Sequence, residues 1–287
     1  MIYICIPSYN EQQTIGVLLW KIRQVMGDFR RDYHVLVLDD GSTDDTDGVL
    51  EPYLRVMPLT VLRHVSRQGY ARSIERLLRE AAARAPYPKR DCVVTLQADF
   101  TDDPADIVDL VKRIEGGADL VNTAPARHSG PAPRTQLALR HLARRAHRWP
   151  AEITDPLATL RAYRVISLRK MLDVTAAQGL LHGSGATVGA QLLRLALPHA
   201  RRLEEVEVTR RSASRRRPTR TSTWLAAREL LGLTRLRTAS PEPVAEVEEL
   251  TGESVVARPG RGGAERGNGR RGGPRSARHA ERNDERK

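Results

Sequence analysis

Through residues 1–123, short apolar runs rich in β-branched residues alternate with longer stretches whose apolar positions recur three and four apart. Strands that alternate with helices need crossover connections, and burying both kinds of element calls for a mostly parallel sheet covered on its two faces. The predicted strands are 2–6, 34–38, 59–63, 92–96 and 119–123. The first is expected to stop at Pro7, and the helix after it carries Ile15, Leu18, Leu19, Ile22 and Met26 on one face. Further helices are predicted over 70–83 and 104–114, the latter opened by Pro104 and closed by Gly116-Gly117. The run Cys92-Val93-Val94-Thr95-Leu96 is nearly all apolar or β-branched, as in a central strand buried on both sides.

The second half is less regular. It contains a Pro- and Gly-rich loop at 129–133, a basic helix over 135–149, a strand over 160–166, helical spacing over 186–197 and strand-like alternation over 203–208. An arginine cluster between Arg210 and Arg220 precedes an amphipathic helix at 224–236, in which Trp224, Leu230 and Leu233 alternate with Arg228 and Arg235. From Arg258 to Lys287, ten Lys or Arg face four acids among seven glycines, with almost nothing apolar, so a disordered basic tail is expected. The whole chain has 47 basic and 35 acidic residues, a net charge of +12 that favours polyanions such as nucleotide phosphates or anionic lipid. No apolar run is long enough to span a membrane and no leader pattern opens the chain, which suggests a cytoplasmic protein. Cys5 and Cys92 lie inside predicted strands and read as small buried apolar groups, with no disulfide or zinc site indicated.

Ligands of an open parallel sheet bind beyond the carboxyl ends of its strands, and that rim here collects Glu11, Asp39, Asp40, Asp99, Asp102 and Asp103. Carboxylates repel phosphate. In a basic protein such a rim suits a hard divalent cation set between acid and diphosphate. The competing role for Asp39, Asp44 and Asp45 is to cap helices, and for Asp102 and Asp103 to begin the helix at Pro104, where the macrodipole favours acids.

The segments Ile6-Pro7-Ser8-Tyr9-Asn10-Glu11 and Val37-Leu38-Asp39-Asp40-Gly41-Ser42 resemble the start of the family 2 glycosyltransferases, which have the α/β GT-A fold. The resemblance continues through Arg67-Gln68-Gly69-Tyr70-Ala71 and Leu96-Gln97-Ala98-Asp99-Phe100 and covers roughly 1–236. It looks closest to the polyprenyl-phosphate glycosyltransferases typified by dolichol-phosphate mannosyltransferase. It implies a glycosyltransferase domain at 1–238, with a nucleotide-binding half at about 1–123 and an acceptor half at about 124–238, followed by a linker and tail at 239–287. Nucleotide contacts carry over to Pro7, Tyr9, Glu11, Val37, Asp39, Gln97, Ala98 and Asp99, with Asp99 also facing a divalent metal, Mg or Mn. Gln97 stands where relatives carry the first Asp of an Asp-x-Asp motif, so one charged metal donor is missing.

Farther on, Asp155-Pro156-Leu157-Ala158-Thr159-Leu160-Arg161 partly matches the family's acceptor-side Asp-x-x-Ser-Gly-Phe-Arg. Arg217-Pro218-Thr219-Arg220-Thr221-Ser222 is similar to an Arg-x-x-Gly-x-Ser stretch near the phosphates, and Arg127 follows the fifth strand near an arginine that serves phosphate. The resemblance thus implies Asp99 and Asp155 as catalytic, and Arg127, Arg161 and Arg217 as phosphate or acceptor contacts. The expected reaction is inverting transfer of a sugar from a nucleotide-diphosphate sugar to a polyprenyl phosphate, with the protein peripheral at the inner face of an anionic membrane. Two alternatives stay open. The acceptor is a sugar or protein hydroxyl, with Asp155 as base, or the chain is a degenerate, non-catalytic nucleotide- or polyanion-binding protein. Nucleic acid is a poor partner, because only two Phe are present for stacking.

Overall fold

The computed structural model describes residues 1–126, 134–146, 149–174, 179–183, 185–209 and 247–251. The elements in chain order are β1 (Ile2–Ser8), α1 (Ile15–Phe29), β2 (Tyr33–Asp39), α2 (Thr46–Leu50), a 3-10 turn (Glu51–Arg55), β3 (Leu59–His64), α3 (Tyr70–Arg84), β4 (Cys92–Thr95), α4 (Asp106–Glu115), β5 (Leu120–Pro125), α5 (Arg134–Ala146), β6 (Arg161–Arg164), α6 (Val165–Val174), α7 (Gly185–Ala196), β7 (Leu203–Val208) and β8 (Val247–Thr251). They build an eight-stranded sheet in the order β7-β5-β6-β4-β1-β2-β3-β8. The central strands are parallel, β6 runs antiparallel to both of its neighbours, and β8 is an antiparallel edge on β3.

Alternation along the strands divides the core into two layers. Ile2, Ile4, Ile6, Val35 and Val37 face α1, α2 and α4, whereas Tyr3, Cys5, Leu36 and Leu38 face α3, α6 and α7. Each layer buries apolar side chains at 0–4 % exposure in the strand centres, which supplies most of the favourable folding free energy. No helix among the described residues is long and apolar enough to cross a membrane.

Several expectations shift. Pro7 does not end β1. The amide of Leu96 donates to Cys5 O, so the odd residues of β1 turn towards β4, and β4 has already ended at Thr95 when the chain reaches Pro7. The missing N–H of Pro7 therefore costs no ladder bond. The strand expected over 160–166 stops at Arg164, and the β-branched Val165 and Ile166 open α6. Val165, Leu168, Met171 and Leu172 are buried at helical spacing, and this packing overrides their strand-like start. The basic helix ends at Ala146 rather than 149, and α4 begins at Asp106, with Asp103 accepting from the Ala105 amide at 3.0 Å. Val247–Thr251, expected within a linker, pairs with Thr60–His64. The amphipathic stretch 224–236 and the tail 258–287 lie outside the described residues.

Both cysteines are buried and unpaired with each other, and Cys5 Sγ donates to Leu77 O at 3.7 Å. Burial disfavours the thiolate, raising both thiols, that of Cys92 to about 12. Stability is thus undiminished by them below about pH 8.5 and falls above it, because only the unfolded chain ionises there. The folded protein is expected to resist iodoacetamide at pH 8 and to take up two labels in denaturant. Rapid labelling of the native protein would contradict this burial.

Candidate active site

The loops after β1 and β2 clamp each other through reciprocal hydrogen bonds. Asn10, at a φ of 54°, donates its backbone N–H to Ser42 Oγ at 2.8 Å, and its side-chain Oδ1 accepts from the Thr43 amide at 2.7 Å. The Glu11 amide donates to Thr46 Oγ1 at 2.9 Å, and Gln12 Oε1 accepts from the Asp45 amide at 2.9 Å. The left-handed backbone is one that asparagine tolerates, which suits an Asn to this turn. Asn10, Ser42 and Thr43 are therefore the fasteners of this rim.

Tyr9 and Glu11 stand half-buried on the rim. The guanidinium of Arg67 lies 4.2 Å from the Tyr9 ring centre, a cation–π contact, and Glu11 Oε2 accepts from Thr14 Oγ1 at 2.7 Å. Asp39 is 3 % exposed. Its carboxylate accepts from the Ser42 amide at 3.2 Å and from Ser42 Oγ, and it pairs with Arg63 at 3.8 Å, while Arg63 also meets Asp47. Ser8 Oγ, beside it in register, is buried with no hydrogen-bond partner among the described residues. Pro7 is buried at the end of β1. The side chain of Val37 is fully buried in the core below the rim, which leaves only its backbone for a ligand. The side chain of Ala98 is likewise packed in the core, although its backbone belongs to the rim.

Beyond β4, Asp99 Oδ1 accepts from the amide and hydroxyl of Thr101, fixing a tight turn that puts Phe100 at a φ of 58°. Asp102 is 2 % exposed and reached by Thr159 Oγ1 at 3.5 Å. Burial pushes up the phenol of Tyr70, and the charge of Asp102 raises it further. Gln97 turns its amide towards Gly185 at the start of α7, 3.5 Å from where a Cβ would sit. Among the described residues no three His, Cys, Asp or Glu side chains are grouped to hold a metal.

The acceptor-side residues are linked by a buried network. Arg161, at 1 % exposure, donates from Nε to Asn122 Oδ1 at 2.6 Å, from Nη2 to Pro156 O at 2.8 Å, and from Nη1 to Gly189 O. This corrects its expected role, since a guanidinium committed to three internal acceptors is a strut and not a phosphate contact. Asn122 Nδ2 in turn reaches Glu205 Oε1 at 2.6 Å, and Glu205 accepts from the Thr154 amide at 3.0 Å. Asp155, also 1 % exposed, caps the Leu157 amide at 3.1 Å and pairs with Arg140 Nε at 3.2 Å. A Cβ on Gly189 would fall 2.7 Å from Ala158 O, so α7 meets the 155–160 segment backbone to backbone. Asn122, Glu205 and Arg140 went unnoticed in the sequence, where a polar residue in a strand or basic helix reads as solvated. Arg127 and Arg217 lie outside the described residues.

A sequence profile of the family described as Glycosyl transferase family 2 matches residues 3–172, more than half of the chain. The chain belongs to that family. The curated relatives of this family 2 glycosyltransferase include undecaprenyl-phosphate 4-deoxy-4-formamido-L-arabinose transferases. That of Pseudomonas fluorescens is 31 % identical over 133 residues, 46 % of this chain and 37 % of the relative. That of Shewanella sediminis is 26 % identical over 172 residues, 59 % and 50 % respectively. The chain spans about half or less of the length of these relatives. A similar solved structure is the Mycobacterium tuberculosis glucosyl-3-phosphoglycerate synthase in complex with Mn2+, UDP-glucose and phosphoglyceric acid. It has a TM-score of 0.58 at 23 % identity, covering 84 % of this chain and 81 % of that one, a likeness in fold. The GT-A reading of the sheet thus holds.

For the rim itself, Asp39→Ala is expected to weaken nucleoside diphosphate binding by roughly ten- to a hundredfold, the loss of one charge-assisted hydrogen bond. Calorimetry giving the parent's affinity would remove Asp39 from the site.

Proposed function

We propose that the chain transfers a sugar, with inversion, from a nucleoside diphosphate sugar to a polyprenyl phosphate. The state of Asp155 carries the acceptor class. The carboxylate that a hydroxyl acceptor would need as its base is 1 % exposed and ion-paired with Arg140. General-base catalysis requires reach to the proton being removed. A phosphate monoester is already ionised near neutral pH, and needs only alignment and cationic stabilisation. The relatives named as undecaprenyl-phosphate transferases support the same acceptor.

In this reading Tyr9 flanks the base, Asp39 accepts an N–H from its edge, and Glu11 accepts from ribose hydroxyls. A phosphate oxygen of the acceptor attacks the anomeric carbon while the bond to the nucleoside diphosphate breaks, its electron pair passing to the departing phosphate. Asp99 is the carboxylate that would face a divalent cation. With Gln97 two residues before it in place of an acid, and no cluster of three acidic, His or Cys side chains among the described residues, such an ion would be shared with the diphosphate and not held by the protein alone. When bound, such an ion neutralises charge on the leaving diphosphate. Gln97→Asp adds a charged donor and is expected to tighten Mn2+ binding about tenfold in the presence of nucleoside diphosphate, read by calorimetry. Unaltered Mn2+ affinity would exclude position 97 from the cation's surroundings. A lipid acceptor also sets the reaction at a membrane surface, where the basic stretch 224–237 would attach to anionic headgroups.

The deciding experiment supplies labelled nucleoside diphosphate sugars with Mg2+ or Mn2+, and either polyprenyl phosphate in detergent or sugar and peptide hydroxyl acceptors. Label is expected in the lipid phase only with polyprenyl phosphate. Turnover of a hydroxyl acceptor alone would overturn the acceptor class, and nucleotide binding without any transfer would leave a binding protein.

A further inference from the structure

The strand alternation that turns Asp39 towards α1 turns the next residue the other way, and Asp40 spends its whole carboxylate on the loop that enters α3. Its Oδ1 accepts from His64 Nδ1 at 2.8 Å and from the Gln68 amide at 2.7 Å, and its Oδ2 accepts from the Gly69 amide at 2.7 Å. Asp40 and His64 are 3 % and 4 % exposed, so the bond between them is shielded from water and correspondingly strong. Two further features hold the same loop in place. Gly41, at a φ of 68°, lets the backbone of Ser66 and Arg67 approach to within 3.0 Å of where a Cβ would stand, and Gly69, at a φ of 90°, starts α3. Between the anchored residues lies Arg67, exposed to solvent and stacked on Tyr9.

The geometry points to Asp40 as a positioning residue of the donor site: it never meets the nucleotide, and it acts by holding Arg67 over Tyr9, where a guanidinium beside the bound base and diphosphate stabilises the complex. The inference rests on the reading of Tyr9 and Asp39 as the donor rim. It separates the two adjacent aspartates by role, one for the ligand and one for the loop. An arginine is long and flexible, and holding its backbone where its guanidinium can stack on Tyr9 lessens the entropy it loses on meeting a ligand.

The test combines Asp40→Asn and Arg67→Ala with the double variant, in nucleoside diphosphate titrations and in amide hydrogen exchange. Asp40→Asn is expected to weaken binding about tenfold, raising KM while kcat stays within about threefold. It should unprotect the Gln68 and Gly69 amides and leave that of Ser42, which donates to Asp39, protected. In the Arg67→Ala background the Asp40→Asn change is expected to add less than about twofold, because its route to the ligand is already gone. Additive effects in the double variant, or unchanged affinity in Asp40→Asn, would overturn the proposal and leave the donor rim standing. Failure of the parent protein to bind any nucleoside diphosphate would instead overturn the rim, and this proposal with it. If Asp40→Asn does not fold, Gly69→Ala serves in its place: a Cβ there meets nothing within 4 Å, so the variant disturbs only the loop's backbone. It should reproduce both the weakened binding and its disappearance without Arg67, and parent-like binding would overturn the proposal equally.

Discussion

Arg161→Met is expected to destabilise the fold by about 3–5 kcal/mol, lowering the thermal midpoint by about 6–20 °C. The methionine fills much of the volume, so the loss arises from polar groups. Asn122 Oδ1, Pro156 O and Gly189 O would lose their donor in a site closed to water, and each unsatisfied acceptor costs about 1–3 kcal/mol. Relief from burying a cation offsets part of that sum. Arg161→Lys should recover little, since one ammonium cannot reach three acceptors held around a planar fork. Chemical denaturation separates this role from the one the family resemblance implied. A phosphate contact would leave stability intact and impair only turnover, and a variant within about 1 kcal/mol of the parent would restore that earlier assignment.

The second large effect concerns Asp99. Asp99→Ala is expected to reduce sugar transfer by about 10²–10³-fold, the range for removing one preorganised charge-stabilising group from a reaction centre. The alanine also deletes the acceptor that fixes the Thr101 turn, so Asp99→Asn is the needed comparison. Asparagine can still accept from the Thr101 amide while lacking the charge. If charge is what matters, both variants lose transfer and keep nucleoside affinity, which the proposed function assigns to Tyr9 and Asp39. Recovery of turnover in the asparagine variant would make Asp99 a turn-forming residue.

The sheet was legible because each central strand is a compact apolar run and each covering helix shows its face in the spacing of Ile, Leu and Met. What escaped detection depended on partners distant in sequence. Nothing near Pro7 discloses that β4 ends two residues too soon to need its N–H. Val165 and Ile166 look like strand, and only the buried Leu168, Met171 and Leu172 make them helical. The rim was legible as two motifs, but not the division of labour within it. Asp39 and Asp40 are chemically identical neighbours, and the pleat alone turns one to Ser42 and Arg63 and the other to His64, Gln68 and Gly69. Arg161 misled for a related reason, since its position in a motif says nothing about burial. Its partner Asn122 and the next member, Glu205, lie 39 and 83 residues from the sites they complete.

The contact between Gly189 and Ala158 has a mechanical consequence. With no side chain as a spacer, α7 and the 155–160 segment have no soft layer between them along which to shear, and Arg161 rivets both to the sheet. That side of the cleft should behave as a stiff jaw. Any widening to admit a bulky acceptor then has to come from the facing side or from a displacement of the jaw in one piece.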